Sequence, residues 1–373
     1  MIYLDNNATT PVDPEVKDHV LKGLELFGNP SSIHTPGRRA RELIEWARLK
    51  VAELINAADD EVYFTSGGTE SNNLAIIGYC RNFKRGHIIS TVIEHPSVLM
   101  PLSYLQEAGY AVTLIRPGSD GRVDSSEIKK ALRPDTILVT VMHANNETGT
   151  VQPLEEIAAI VREHDAVFHT DAAQSIGKID VDVNELGVDM LTVVSHKFYG
   201  PKGVGALFVR KGIALKRILH GAGHERGLRP GTENTPLIAG LGKASEITRR
   251  DLPRRRQYLE SLTGLLLEEL VRLLPDVRLN GSAEYRLPNT LNIQFPGVEG
   301  YRLVEELSRE VAISAGSACH EGKYTPSDVL VSMGLSPEEA LSSVRISTGK
   351  DNSPEEMKLA AGLIHDAVSR LRK

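Results

Sequence analysis

Met190-Leu191-Thr192-Val193-Val194-Ser195-His196-Lys197-Phe198-Tyr199-Gly200-Pro201-Lys202-Gly203 joins an apolar run to a glycine-rich turn, with one lysine at the junction. The run 190–194 reads as a buried strand. A lysine at the end of such a strand is costly unless it is neutralised or put to use. Partial desolvation lowers the amine pKa and makes it nucleophilic, which is the chemistry of a Schiff base. The glycines let backbone come close to a ligand. An isolated Lys-x-x-Gly is more often a solvated strand end, so the rest of the chain has to decide.

Working outward, short apolar runs alternate with helical patterns. Strands are predicted at 62–65, 87–91, 112–115, 137–142, 166–171, 190–194 and 204–209, with helices over 72–80 and 154–164. Continuous apolar strands separated by helices imply a mostly parallel sheet covered on both faces, an α/β architecture. Ligands on such sheets sit at the carboxyl ends of the strands. After about Gly240 the texture changes. A long charged amphipathic helix is predicted over 244–274, then a strand at 290–295, a helix over 301–310, an extended stretch at 313–317, a strand at 343–347 and a last helix from Pro354. This describes a smaller α+β lobe. The expected division is a large domain over 13–245 and a small one made of 1–12 and 246–373.

A chain of 373 residues exceeds one ordinary core, which fits two lobes. The net charge of −6 argues against a nucleic-acid surface, and the arginines at 249–250 and 254–256 read as a solvated helix face. No apolar run is long enough to cross a membrane, and no signal peptide is evident at the start, so a cytoplasmic location is expected. Two cysteines, Cys80 and Cys319, cannot build a disulfide framework or a four-thiolate zinc site.

Five elements carry chemistry. Ser66-Gly67-Gly68-Thr69 opens a helix, whose free N–H groups and dipole make an anion cradle. No Gly-Lys-Ser/Thr follows, so it is not a P-loop. His95 follows a strand, where an imidazole stacks on a ring, shuttles protons or simply caps a loop. Asp171 ends another strand. A carboxylate there pairs with a pyridinium nitrogen and keeps a cofactor ring an electron sink. The alternatives are a helix N-cap or a metal ligand beside His169, for which no matching cluster exists. With Lys197 these parts describe a pyridoxal phosphate site. Last, Ser314-Ala315-Gly316-Ser317-Ala318-Cys319-His320-Glu321-Gly322 sets one cysteine among small residues, beside a histidine that favours the thiolate. Cys80, in the apolar run 74–80, reads as buried.

Longer stretches resemble a known family: 3–10 (Tyr-Leu-Asp-Asn-Asn-Ala-Thr-Thr), 28–34, 64–73, Glu94-His95, 143–149, Asp171-Ala172-Ala173-Gln174, His196-Lys197, 225–232, 316–319 and 344–347. On these the chain resembles the NifS/IscS-like cysteine desulfurases, in the class V aminotransferase branch of fold-type I pyridoxal phosphate enzymes. The resemblance implies a large domain with a mostly parallel seven-stranded sheet, plus a smaller α+β domain. It implies that Lys197 holds the cofactor and moves the Cα proton, Asp171 pairs with the ring nitrogen, Gln174 bonds the ring hydroxyl and His95 stacks on the ring. Gly68, Thr69, Ser195 and His196 would bind the phosphate, with Thr232 reaching in from a second subunit of a homodimer. Asn146 would contact the cofactor and, with Arg345, hold the substrate carboxylate, a task suited to the planar guanidinium. L-cysteine would give L-alanine and a persulfide on Cys319, for transfer to an acceptor protein such as an iron–sulfur scaffold. No resident metal is implied, Cys319 serving at most as a transient iron–sulfur ligand.

Three features depart from that family's usual pattern. Val194 stands where it often has serine, with Ser195 one place later. His320 follows Cys319 in place of threonine, and the turn reads Arg229-Pro230-Gly231-Thr232-Glu233-Asn234-Thr235. Val194, Ala318-Cys319-His320, Phe198 and the Gly231-Thr232-Glu233-Asn234 turn are similar to selenocysteine lyases, which gives an alternative activity: alanine and selenide from selenocysteine. The chain ends soon after Arg345, so a long scaffold-docking tail is not expected. A non-catalytic sulfur carrier is a third reading, against which Lys197, Asp171 and Cys319 stand intact.

Overall fold

The computed structural model describes residues 1–316, 318–320 and 323–373, and of 318–320, 323 and 324 the backbone alone. The chain opens with β1 (Ile2–Tyr3), α1 (Pro14–Glu25) and α2 (Thr35–Ile55). There follow β2 (Val62–Thr65), α3 (Gly68–Cys80), β3 (His87–Thr91), α4 (Pro96–Glu107), β4 (Ala111–Ile115), α5 (Ser125–Ala131), β5 (Thr136–Thr140), α6 (Leu154–Val161), β6 (Val167–Asp171), β7 (Met190–Val194) and β8 (Gly205–Val209). Their strands make one seven-stranded sheet in the order β2-β8-β7-β6-β5-β3-β4. Among the described residues only β8 runs against the rest of that sheet.

Side-chain alternation divides this sheet between two cores. Ile89, Val139, Phe168, Leu191 and Phe208 face the core shared with α2 and α6. Their neighbours Ile88, Leu138, Val167, Met190 and Leu207 face the core shared with α3 and α4. Burial on both faces makes the central strands β5, β7 and β8 largely apolar, which is the pattern the sequence displays.

The helix predicted from Ala244 begins nine residues earlier, as α7 (Thr235–Leu273). Gly240 and Gly242 conceal its start. A Cβ at Gly240 would come within 2.7 Å of Val20 Cγ2, and one at Gly242 within 2.6 Å of the Ala47 backbone. Close packing on α1 and α2 requires small residues there and overrides their poor helix propensity. Ile238, Leu241, Ala244 and Ile247 of α7 complete the core beneath the large sheet, whereas Leu262, Leu266 and Leu270 enter a second core. The expected boundary at 245/246 falls inside this unbroken helix.

The rest of the chain forms β9 (Arg278–Asn280), β10 (Thr290–Gln294), α8 (Gly300–Leu307), β11 (Val311–Ala312), β12 (Ser314–Ala315), β13 (Ala318–His320), β14 (Lys323–Thr325), α9 (Asp328–Ser332), α10 (Pro337–Leu341), β15 (Ser343–Ser347) and α11 (Pro354–Leu371). The second core takes its side chains from β10, α8, β11, β15 and α11, while Leu330 of α9 and Ala340 of α10 pack with Ile93 and Met142 in a smaller cluster. An antiparallel sheet runs β12-β15-β10-β9, and β13 pairs with β14, Cys319 opposite Tyr324. β1 pairs with β11, and Ile2 and Leu4 lie in this second core. From there residues 5–13 cross as a strap: Asp5 bridges to Ser347, Thr10 N–H donates to the His196 carbonyl, and Asp13 N–H to that of Tyr199. Among the described residues no helix is long and apolar enough to cross a membrane.

Candidate active site

A cavity of about 410 Å³ opens at the carboxyl ends of β3, β6 and β7, where a parallel sheet is expected to bind ligands. It brings together Gly68, Thr69, His95, Asn146, Asp171, Gln174, His196, Lys197 and Arg345, from both halves of the chain.

Lys197 lies in the turn just after β7, held by the strap: its Nζ donates to the carbonyls of Asn7 at 2.6 Å and Ala8 at 2.9 Å. Burial, reinforced by the Arg345 charge, pulls the amine down to about 8, against the opposing pull of Asp171 and Asp5. A sizeable share of it is therefore neutral, and so nucleophilic, at mildly alkaline pH.

Asp171 ends β6. Its carboxylate accepts from Asn72 Nδ2 at 2.7 Å and from the Ala173 N–H at 2.9 Å. Asn72, at the start of the second turn of α3, also donates to Ser97 Oγ at 2.8 Å and accepts from Thr192 Oγ1 at 2.6 Å. His95 caps α4, its Nδ1 accepting from the Ser97 N–H at 3.0 Å. That bond assigns the lone pair to Nδ1 and leaves the proton of the neutral ring on Nε2. Burial lowers the His95 pKa, Lys197 adds to the effect and Asp171 opposes it. His196 is pushed to about 4 by burial and by the Lys197 and Lys202 charges, so it too is neutral near pH 7.

Arg345 projects from β15 and faces the same space. Its Nη2 pairs with Asp5 Oδ1 at 2.8 Å, its Nη1 donates to the Asn146 carbonyl at 3.1 Å, and its buried Nε has no partner. At the other end, α3 begins at Gly67 and Gly68. The first turn of a helix offers N–H groups without intrahelical acceptors. Glu70 braces this turn, accepting from the Ser66 N–H at 2.8 Å and pairing with Arg229 at 2.9 Å.

Two expected residues lie elsewhere. Ser195 does not line the cavity; Val194 does. The Ser195 hydroxyl is buried without a partner and points at Gly200, where a Cβ would come within 2.1 Å of it. As the chain leaves β7, successive side chains turn to opposite sides, and the cavity side falls to the valine. Val194 Cγ2 would stand 2.7 Å from a Cβ at position 68, which requires glycine in the cradle wall. Thr232 is exposed and outside the cavity of its own chain. The side chain of Cys319 lies outside the described residues. Cys80 is buried, its thiol pushed up to about 12, and takes no part in the cavity. The metal reading of His169 finds no support: its ring is wholly buried between Thr140 and Thr192, and no cluster of metal-ligating side chains occurs among the described residues.

The sequence missed Asn7, Asn72, Ser97 and Lys178. Asn7 lies within the quoted stretch 3–10 and Asn72 within 64–73, but neither follows a periodicity that would reveal its role.

The donors present fit pyridoxal phosphate. A desolvated amine, a strand-end carboxylate, an amide with a spare N–H and a glycine-walled helix N-terminus face one space. Residues 2–359 match the family described as aminotransferase class-V. The chain belongs to that family. Within it, the chain is 44% identical to the cysteine desulfurase IscS of Dictyoglomus turgidum, covering 100% of this chain and 95% of the relative. Identity is also 44% to cysteine desulfurase IscS 1 of Archaeoglobus fulgidus, covering 100% and 98%. Among solved structures, a NifS-like protein superposes with a TM-score of 0.93 at 37% identity, with 99% of each chain covered. SspA in complex with cysteine gives 0.83 at 38% identity, covering 93% of this chain and 98% of that one.

Proposed function

We propose that this class V aminotransferase family member is a pyridoxal phosphate-dependent cysteine desulfurase, producing L-alanine and a persulfide on Cys319. The observation that carries the reading is Lys197, a lysine whose amine is lowered to about 8 and which shares a cavity with Asp171 and Arg345. Bound here, pyridoxal phosphate supplies an electron sink for charge developing at the substrate Cα. Lys197 would hold the cofactor through Nζ and is the base placed to move the Cα proton. Asp171 keeps the ring nitrogen protonated, steadied by Asn72 and the Ala173 N–H. As a neutral imidazole, His95 would face the ring, Gln174 would donate to the ring oxygen, and Gly68, Thr69 and His196 would hold the phosphate. Arg345 and Asn146 receive the substrate carboxylate, the unpartnered Arg345 Nε being a donor in reserve. The Cys319 thiolate attacks the substrate sulfur, so that an S–S bond forms as the C–S bond breaks; the electron pair stays with the substrate carbon, which takes up a proton on the way to L-alanine.

The reading includes a cytoplasmic homodimer in which Thr232 completes the partner's phosphate site. It also includes the domain division at 245/246 and an acceptor protein such as an iron–sulfur scaffold. A second reading, selenocysteine lyase, is favoured by Val194 lining the cavity where a serine would donate.

The test measures alanine released from L-cysteine and from L-selenocysteine, with wild type and Cys319→Ala. Turnover of cysteine that is lost in Cys319→Ala supports the desulfurase. Turnover of selenocysteine alone favours the lyase, and no alanine from either refutes both.

A further inference from the structure

Lys178 is a buried lysine that the reaction does not use. It is 4% exposed, and its Nζ donates to Gln174 Oε1 at 2.7 Å and to Asn7 Oδ1 at 2.8 Å. Both acceptors are neutral amide oxygens. Burial, with the charges of Lys197 and Arg345, drives its pKa well down. A neutral amine has two N–H groups, which match its two acceptors.

The consequence falls on Gln174. An amide side chain presents either a donor or an acceptor to a ligand, and its neighbours decide which. Both hydrogens of the Lys178 amine go to oxygens, and the Asn7 carbonyl can only accept, so Oε1 is turned to Lys178. The opposite end, Nε2, gives one hydrogen to the Asn7 carbonyl at 3.0 Å and keeps one for the cavity. Asn7 is fixed in the same way: its Oδ1 accepts from Lys178 and from Asn289, and its Nδ2 donates to Thr290 Oγ1 and the Asn146 carbonyl. The Asn7 carbonyl, so placed, also holds Lys197 Nζ.

We infer that Lys178 is a positioning residue for the cofactor: by holding Gln174 directly, and through the Asn7 carbonyl that receives Gln174 Nε2, it ensures that Gln174 meets the ring oxygen as a donor. The inference rests on the proposed role of Gln174 toward that ring. It is tested by the affinity of the apo-protein for pyridoxal phosphate, measured by absorbance titration for wild type, Gln174→Ala, Lys178→Met and the double variant, with thermal midpoints alongside. Each single substitution should weaken Kd about tenfold, the worth of one well-placed hydrogen bond. The double variant should bind no more weakly than Gln174→Ala, because Lys178 acts through Gln174. Losses that multiply to about a hundredfold, or wild-type affinity in Lys178→Met while Gln174→Ala is weakened, would overturn the inference. Wild-type affinity in Gln174→Ala would instead refute the role of Gln174 itself. If Lys178→Met does not fold, Lys178→Ala, which leaves room for water, is put through the same cycle with the same outcomes.

Discussion

The two sheets contribute to the cavity in different ways. In the large sheet every functional side chain lies at or beyond a strand end: His95 after β3, Asp171 at the end of β6, Lys197 after β7. In the small sheet Arg345 stands mid-strand in β15, paired across to Asn292 on one side and Ser314 on the other. Parallel strands deliver their carboxyl ends to one edge, where turns can be furnished with different chemistry. An antiparallel ladder fixes a residue from both sides and offers one point with little freedom. In the proposed reaction the large sheet would supply Lys197, Asp171 and His95 and the small one a rigid anchor for the substrate, while Cys319 comes from neither, on β13.

Four substitutions or conditions would break or sharpen this contrast. Lys197→Ala removes the reactive strand-end group and should lower alanine formation about 10³-fold or more, measured with cofactor in excess. Glu225→Ala attacks the bracing behind that edge. Glu225 pairs bidentately with the buried Arg48 at 2.8 Å for both contacts and also accepts from the Phe64 N–H on β2. Leaving Arg48 buried without that partner should cost about 3 kcal/mol, read as a fall in the urea midpoint. Arg345→Lys keeps the charge but loses the planar fork. It should reduce kcat/KM for L-cysteine about 10- to 30-fold without changing pyridoxal phosphate affinity. An equal loss of cofactor affinity would show that the small sheet does more than anchor substrate.

The smallest effect is on pH dependence. The Lys197 amine lies near 8 when folded and 10.5 when free. Between those values the unfolded chain binds more protons, so the apo-protein gains stability as pH rises from about 8 toward 10.5. Urea midpoints at about pH 7.5 and 9.5 should show that gain in wild type relative to Lys197→Met.

The central strands were legible because burial on both faces leaves them largely apolar. The strand-end positions of Asp171 and Lys197 followed from that. The strap 5–13 was not legible: it has no period, and its contacts are with residues far along the chain, such as Asn7 with Thr290 and Thr10 with His196. The exchange of Ser195 for Val194 at the cavity wall depends on how the backbone turns out of β7, which composition does not encode. Nor does a shared motif separate holding the site from holding the fold. Glu225, within the quoted stretch 225–232, clasps Arg48 from α2 and lies outside the cavity.

The continuity of α7 bears on how the molecule comes apart. Its 39 residues extend for about 58 Å at the usual rise per residue, and each half completes a different core. A chain severed after residue 245 would give two fragments, each lacking the helical segment that anchors it to the other. Loss of one core therefore frays the support of the other, and the protein should melt in a single cooperative transition, two lobes notwithstanding.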